Sequence, residues 1–165
     1  MANDLKLEPL AKAAFAQFGD VIEKDGAEQL AINEGRCIRF HDLAKVDIVG
    51  DQPRTLINLF APQAAFRPLS IRLVERHPLG SQAFIPMSAD PFVVLVCEDE
   101  NGTPVRPRAF VTNGKQGVNY RANVWHAPLI ALAAETTFAV VDRGGEGVNL
   151  EEHIFSSPLC VAIPE

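Results

Sequence analysis

Short β-prone runs, most of them closed by a proline or a glycine, follow one another through most of this chain, and that punctuation limits what it can fold into. Residues 37–40, 55–60, 69–77, 83–85, 92–97, 109–112 and 136–141 are rich in branched and aromatic side chains. Pro53, Pro62, Pro68, Pro78, Pro86, Pro91, Pro104, Pro107 and Pro128 sit mostly between these runs, where a missing N–H does least harm. No long helical period separates consecutive runs, so parallel strand–helix–strand packing is disfavoured. The cadence predicts a mainly β fold with antiparallel pairing, a sandwich or a barrel.

Helices are expected only at the ends. Leu10, Ala14, Phe15 and Phe18 share one helical face between Pro9 and Gly19, which predicts a short N-terminal helix with Gly19 as its left-handed cap. Leu150, Ile154 and Phe155 stand at roughly helical spacing before Ser156, Ser157 and Pro158, which predicts a final short helix or turn packed on the sheet.

A chain of 165 residues with 47% hydrophobic and 22% charged residues has the balance of a folded protein, and the length suits a single domain spanning 1–165. The net charge of −6, with no run of Lys or Arg able to track phosphates, argues against a nucleic-acid partner. It does not exclude an anionic small molecule, because a few local donors inside a pocket suffice to hold one. Cys37, Cys97 and Cys160 are odd in number and widely spaced, as expected in a reducing compartment. Asp4, Lys6, Glu8 and Lys12 interrupt the beginning of the chain, and no apolar run approaches membrane-spanning length. The expectation is a soluble, cytoplasmic protein with no membrane partner.

The segment from Leu69 to Pro86 carries the most chemistry. Strand alternation would place Leu69, Ile71, Leu73, Glu75 and His77 on one face, apolar at one end and delivering a carboxylate and an imidazole at the other. If that face lines a barrel, Glu75 and His77 stand at the mouth of a pocket; otherwise they face water at a strand end ahead of the turn at Pro78, Leu79 and Gly80. A second segment, from Gly117 to Pro128, ends another short run in His126.

These two segments resemble the paired motifs of the cupin superfamily. The first motif places two metal-binding histidines one residue apart with a glutamate a few residues later, and Glu75, His77 and Gln82 occupy that spacing. The second places proline, glycine and histidine where this chain has Arg121, Asn123 and His126, so only the histidine is retained. At family level the run from Glu75 to Pro86 is similar to the central signature of bacterial ureidoglycolate lyases. The segments 18–23, 39–43, 113–120, 124–126 and 142–145 resemble the same family in the same order, so the likeness covers nearly the whole chain. One departure is Ala127, where family members often carry a second histidine after the Trp125-His126 pair.

The resemblance implies a cupin-like antiparallel β-barrel or jelly roll with few short helices, and a lyase that splits ureidoglycolate into glyoxylate and urea in allantoin and purine catabolism. It also implies a nickel-type divalent ion and a homodimer. Glu75, His77 and His126 become the candidate catalytic residues, and the same three with Gln82 the candidate metal ligands. Without metal they remain a general acid and base set, since histidine titrates near neutrality. Asn119, Tyr120 and Arg143 are candidates for holding the urea and carboxylate ends, because amide, phenol and guanidinium groups match those edges. Each has a structural alternative: Asn119 in a turn, Tyr120 in the core, Arg143 paired with Asp142 or another acid.

Two other functions fit the same residues. A non-catalytic cupin could bind a small organic acid, and a two-histidine, one-carboxylate cluster is also the ligand set of metal-dependent oxygenases.

Overall fold

β-branched and aromatic residues bounded by prolines form strands here as the cadence predicts. The structure, a computed structural model, describes residues 3–163. The strands are β1 (Asn3–Leu5), β2 (Leu7–Pro9), β3 (Gly19–Ile22), β4 (Glu28–Ile32), β5 (Cys37–His41), β6 (Arg54–Phe60), β7 (Leu69–Arg76) and β8 (Gln82–Pro86). They continue as β9 (Phe92–Glu100), β10 (Thr103–Val111), β11 (Gly117–Tyr120), β12 (Trp125–His126), β13 (Ile130–Ala131), β14 (Phe138–Gly144) and β15 (Glu151–Val161). Among the described residues the one α-helix is α1 (Lys12–Phe15), and no helix is long and apolar enough to cross a membrane.

The first sheet runs β1-β15-β7-β12-β9-β10-β2, with β13 also on β9, and the second runs β3-β11-β8-β14-β6. β4 and β5 form a separate hairpin. Pairing is antiparallel apart from β1 on β15 and β2 on β10. Those two short strands are neighbours in sequence yet lie on opposite edges of the first sheet, so one stretch of chain joins both edges and the sheet nearly closes into a barrel.

Two apolar clusters explain the burial. Phe15, Phe18, Phe84, Phe92, Val94, Val96, Phe110, Val118, Tyr120, Phe138 and Val140 join residues of both sheets in one. Leu69, Ile71, Val74, Val93, Leu95, Cys97, Trp125, Leu159 and Val161 make the second, on the other face of the first sheet. β9 feeds alternate residues into each, which is why residues 92–97 read as an unbroken apolar run rather than an alternating one.

Three local expectations are corrected. The N-terminal helix is four residues long and ends on Ala16; Gly19 instead opens β3. A Cβ on Gly19 would lie 1.9 Å from the Asn119 carbonyl oxygen, so the close approach of β11 demands glycine there. The tail is the long strand β15 rather than a helix, with a register shift between Ile154 and Leu159 that accommodates Ser156, Ser157 and Pro158. Finally, alternation along β7 does not run unbroken. Leu69 and Ile71 pack with Val74 in the second cluster, whereas Glu75 lies opposite His126, itself opposite Val96 of the first cluster. The face switches between Ile71 and Val74, at the level of the shift in β15.

Candidate active site

Two-residue strand β12 is wedged between β7 and β9, and this placement builds the site. His126 pairs with Glu75 on one side and Val96 on the other, so all three side chains share a face. The turn before β12 contains Asn123 at φ 68°, a left-handed conformation that asparagine tolerates almost as glycine does. That accounts for asparagine where the cupin motif carries glycine. The Asn123 N–H donates to the His77 carbonyl at 2.8 Å, tying the two motif segments together.

Glu75, His77 and His126 each present one donor atom, and these atoms lie within 4.8 Å of one another. Glu75 Oε1 is 3.8 Å from His77 Nε2 and 3.7 Å from His126 Nε2. Both rings are oriented from behind. His77 Nδ1 donates to the Asn149 carbonyl at 2.8 Å, and His126 Nδ1 donates to the Val124 carbonyl at 2.9 Å. Each Nε2 therefore points toward the cluster. His126 is buried, and its Nε2 has no hydrogen-bond partner.

Burial sets the charges. It pushes the His126 pKa down to about 3, with His77 adding to the effect, so the ring stays neutral and its Nε2 keeps a lone pair. Burial also raises Glu75 above the usual carboxylate range, opposed by His77 and reinforced by Glu152. Burial of an unpartnered lone pair beside a carboxylate is costly unless a cation or proton joins them.

Gln82 completes the cluster, with Oε1 3.2 Å from His77 Nε2. Tyr120 belongs to the core and also touches the site: its ring stacks on His126 at 4.1 Å between centroids and 13° between planes. Phe84 packs against Tyr120, and Trp125 lies in the second cluster under the Arg76 guanidinium.

Asn119 and Arg143 have their hydrogen bonds elsewhere, mostly on the strap of chain from Lys45 to Asp51. Asn119 Nδ2 donates to Asp20 Oδ2 and to the Lys45 carbonyl. Arg143 donates through Nε to the Val49 carbonyl at 2.6 Å and through one terminal nitrogen to the Asp51 and Glu146 carbonyls. The pairing of Arg143 with Asp142 does not form; backbone carbonyls take its place.

A further polar group, Asp142, accepts from Gln82 Nε2 at 3.5 Å and from Asn58 Nδ2 at 3.0 Å and is not among the candidates that residue type suggests. A signal for it exists. Phe138 and Val140 alternate into the first cluster, and continuing that alternation along β14 puts Asp142 on the inner face and Arg143 on the opposite one, where it is buried under the loops whose carbonyls it holds.

The family model for ureidoglycolate lyase matches residues 2–162. The chain belongs to the ureidoglycolate lyase family. Among members of that family, the ureidoglycolate lyase of Brucella ovis is 55% identical over 92% of this chain and 90% of its own. That of a Chelativorans species is 51% identical over 96% of both chains, and ureidoglycolate lyase 2 of Rhizobium meliloti is 52% identical over 95% and 96%. In this ureidoglycolate lyase family member Ala127 is buried in the second cluster, so a role for a second histidine after His126 is absent.

Proposed function

We propose that this protein is a ureidoglycolate lyase of the cupin superfamily, a single-domain enzyme that releases urea from ureidoglycolate and leaves glyoxylate, serving the nitrogen-yielding breakdown of allantoin and purines. The observation that carries the reading is the convergence of Glu75, His77 and His126 on a buried, unpartnered His126 Nε2 in a chain of this family.

The substrate carbon bears a hydroxyl, a carboxylate and a urea nitrogen. Cleavage moves one proton from the hydroxyl oxygen to the departing nitrogen: the C–O bond becomes a carbonyl, the C–N electron pair leaves with urea, and no water is consumed. Two proton positions and an anion anchor are needed. Glu75, held above the usual carboxylate range by burial, is suited to take the hydroxyl proton and return it to the nitrogen. His126, neutral and stacked on Tyr120, offers only a lone pair. His77, less buried, sets its Nε2 3.8 Å from the Glu75 carboxylate, at the edge of the place where the proton changes hands.

The donor set fits a divalent ion, since two imidazole Nε2 atoms and a carboxylate oxygen converge and one of the nitrogens is otherwise orphaned. Glu75, His77 and His126, with Gln82 Oε1 beside them, would hold a nickel-type ion. When bound, it would acidify the hydroxyl and bind the carboxylate. Asn119 and Arg143, engaged on the strap, then act by holding the second sheet and its loops in place.

We read the enzyme as a cytoplasmic homodimer. Ile57 and Leu59, on the exposed face of β6, are 79% and 67% accessible, an apolar surface suited to a second copy. Light scattering tests that assignment.

The test of function is direct. Purified protein given ureidoglycolate should release glyoxylate and urea in equal amounts, and Glu75→Gln should abolish most of that release. A folded wild type that releases neither overturns the reading.

A further inference from the structure

We propose that Asp142 is a positioning residue that fixes which end of the Gln82 amide faces the site, holding Gln82 Oε1 rather than its NH₂ against His77 Nε2. The inference rests on the proposed lyase reading of the Glu75, His77 and His126 cluster and assigns that cluster a further member.

The Asn149 carbonyl can only accept, so His77 Nδ1 carries the hydrogen in that 2.8 Å bond. Asn149 is itself fixed, because its Oδ1 accepts from the Leu79 N–H at 2.7 Å. In a neutral ring His77 Nε2 is then a lone pair, and an amide N–H would be its natural neighbour. Gln82 instead presents oxygen, 3.2 Å away. The cause lies at the other end of the same amide. Asp142 Oδ2 stands 3.5 Å from Gln82 Nε2, and a carboxylate can only accept. Turning the amide over would satisfy His77 but set the Gln82 oxygen against the Asp142 carboxylate.

Asn58 holds Asp142 in turn, donating through Nδ2 to Oδ1 at 3.0 Å. Asn58 lies opposite Val140 across the β6/β14 ladder, on the inward face, so its own position is set by the strand pairing. The chain Asn58, Asp142, Gln82, His77 thus runs from the edge strand of the second sheet to the first. Its effect is to leave His77 Nε2 uncapped and to add a carbonyl oxygen beside it. Both consequences favour whatever electrophile the cluster takes, whether a proton or a divalent ion.

An exchange of the two groups tests this. Asp142→Asn gives Gln82 Oε1 a donor, so the amide can turn and cap His77 Nε2. We expect Co²⁺ affinity, measured by chelator competition on folded protein, to fall by about tenfold or more, and kcat to fall similarly with KM within about threefold. Combining Asp142→Asn with Gln82→Glu conserves net charge and restores an acceptor facing His77; affinity and kcat should return to within about threefold of wild type. A folded Asp142→Asn with wild-type Co²⁺ affinity and kcat overturns the proposal. So does a folded exchange variant that fails to recover, and this arm decides the matter if Asp142→Asn alone does not fold. A wild type that neither binds Co²⁺ nor cleaves ureidoglycolate fails the lyase reading, and this inference falls with it.

Discussion

His126 Nε2 lies 3.7 Å from Glu75 Oε1 and has no hydrogen-bond partner, a buried lone pair beside a half-buried carboxylate on adjacent strands. Such an arrangement costs folding energy and is retained where it serves a site. Replacing His126 by Ala should lower kcat/KM by at least about a hundredfold, the scale of losing an acid–base or ligating group, while circular dichroism stays β-rich. Steady-state release of glyoxylate checks this.

His77→Ala should behave alike, whereas Arg72→Ala, on an exposed position of β7, should stay within about twofold of wild type. Equal losses in the two variants would point to general disruption of β7 rather than to chemistry.

Arg143 serves the loops of the second sheet. Its side chain holds the Val49, Asp51 and Glu146 carbonyls, so Arg143→Lys should destabilise by about 1–3 kcal/mol in urea unfolding, as lost charge-assisted hydrogen bonds do. KM should change by less than about threefold. A large rise in KM with unchanged stability would return Arg143 to the substrate carboxylate.

Acid should weaken the metal-free protein through His126. Its folded pKa, near 3, lies below the ordinary 6.5, so the unfolded chain takes up a proton that the folded one refuses. This contribution to stability is complete above 6.5 and is lost as pH falls from there toward 3. Glu75, raised in the folded state by burial, works in the opposite sense and only partly offsets this. Urea midpoints of chelator-treated protein should therefore drop between about pH 7 and about pH 5, and His126→Leu should flatten that slope.

What the sequence revealed follows from which forces act locally. Strands such as β6 and β9 were legible because branched and aromatic runs end at prolines or polar turns. β15 was not, because its helical-looking spacing of Leu150, Ile154 and Phe155 is overruled by pairing with β7 across a register shift. β1 and β2 were invisible for a related reason: only the edges of the distant β15 and β10 make strands of so few residues. In the site, Glu75, His77 and His126 stood out at the ends of β-prone runs, Gln82 entered only with the resemblance to the cupin motifs that also joined the four, and the structure brings them together. Asn149 acts on His77 through a backbone carbonyl, which no side-chain pattern announces. Asp142 was outweighed by the more conspicuous guanidinium of Arg143 beside it.

The central claim is tested most directly by metal analysis coupled to turnover on one preparation. Purified protein should contain or take up one divalent ion per chain and convert ureidoglycolate to equimolar glyoxylate and urea. Activity should fall on chelation and return with Ni²⁺, and His126→Ala should lose both ion and turnover. Full turnover by His126→Ala, or none by folded, metal-loaded wild type, would contradict the account.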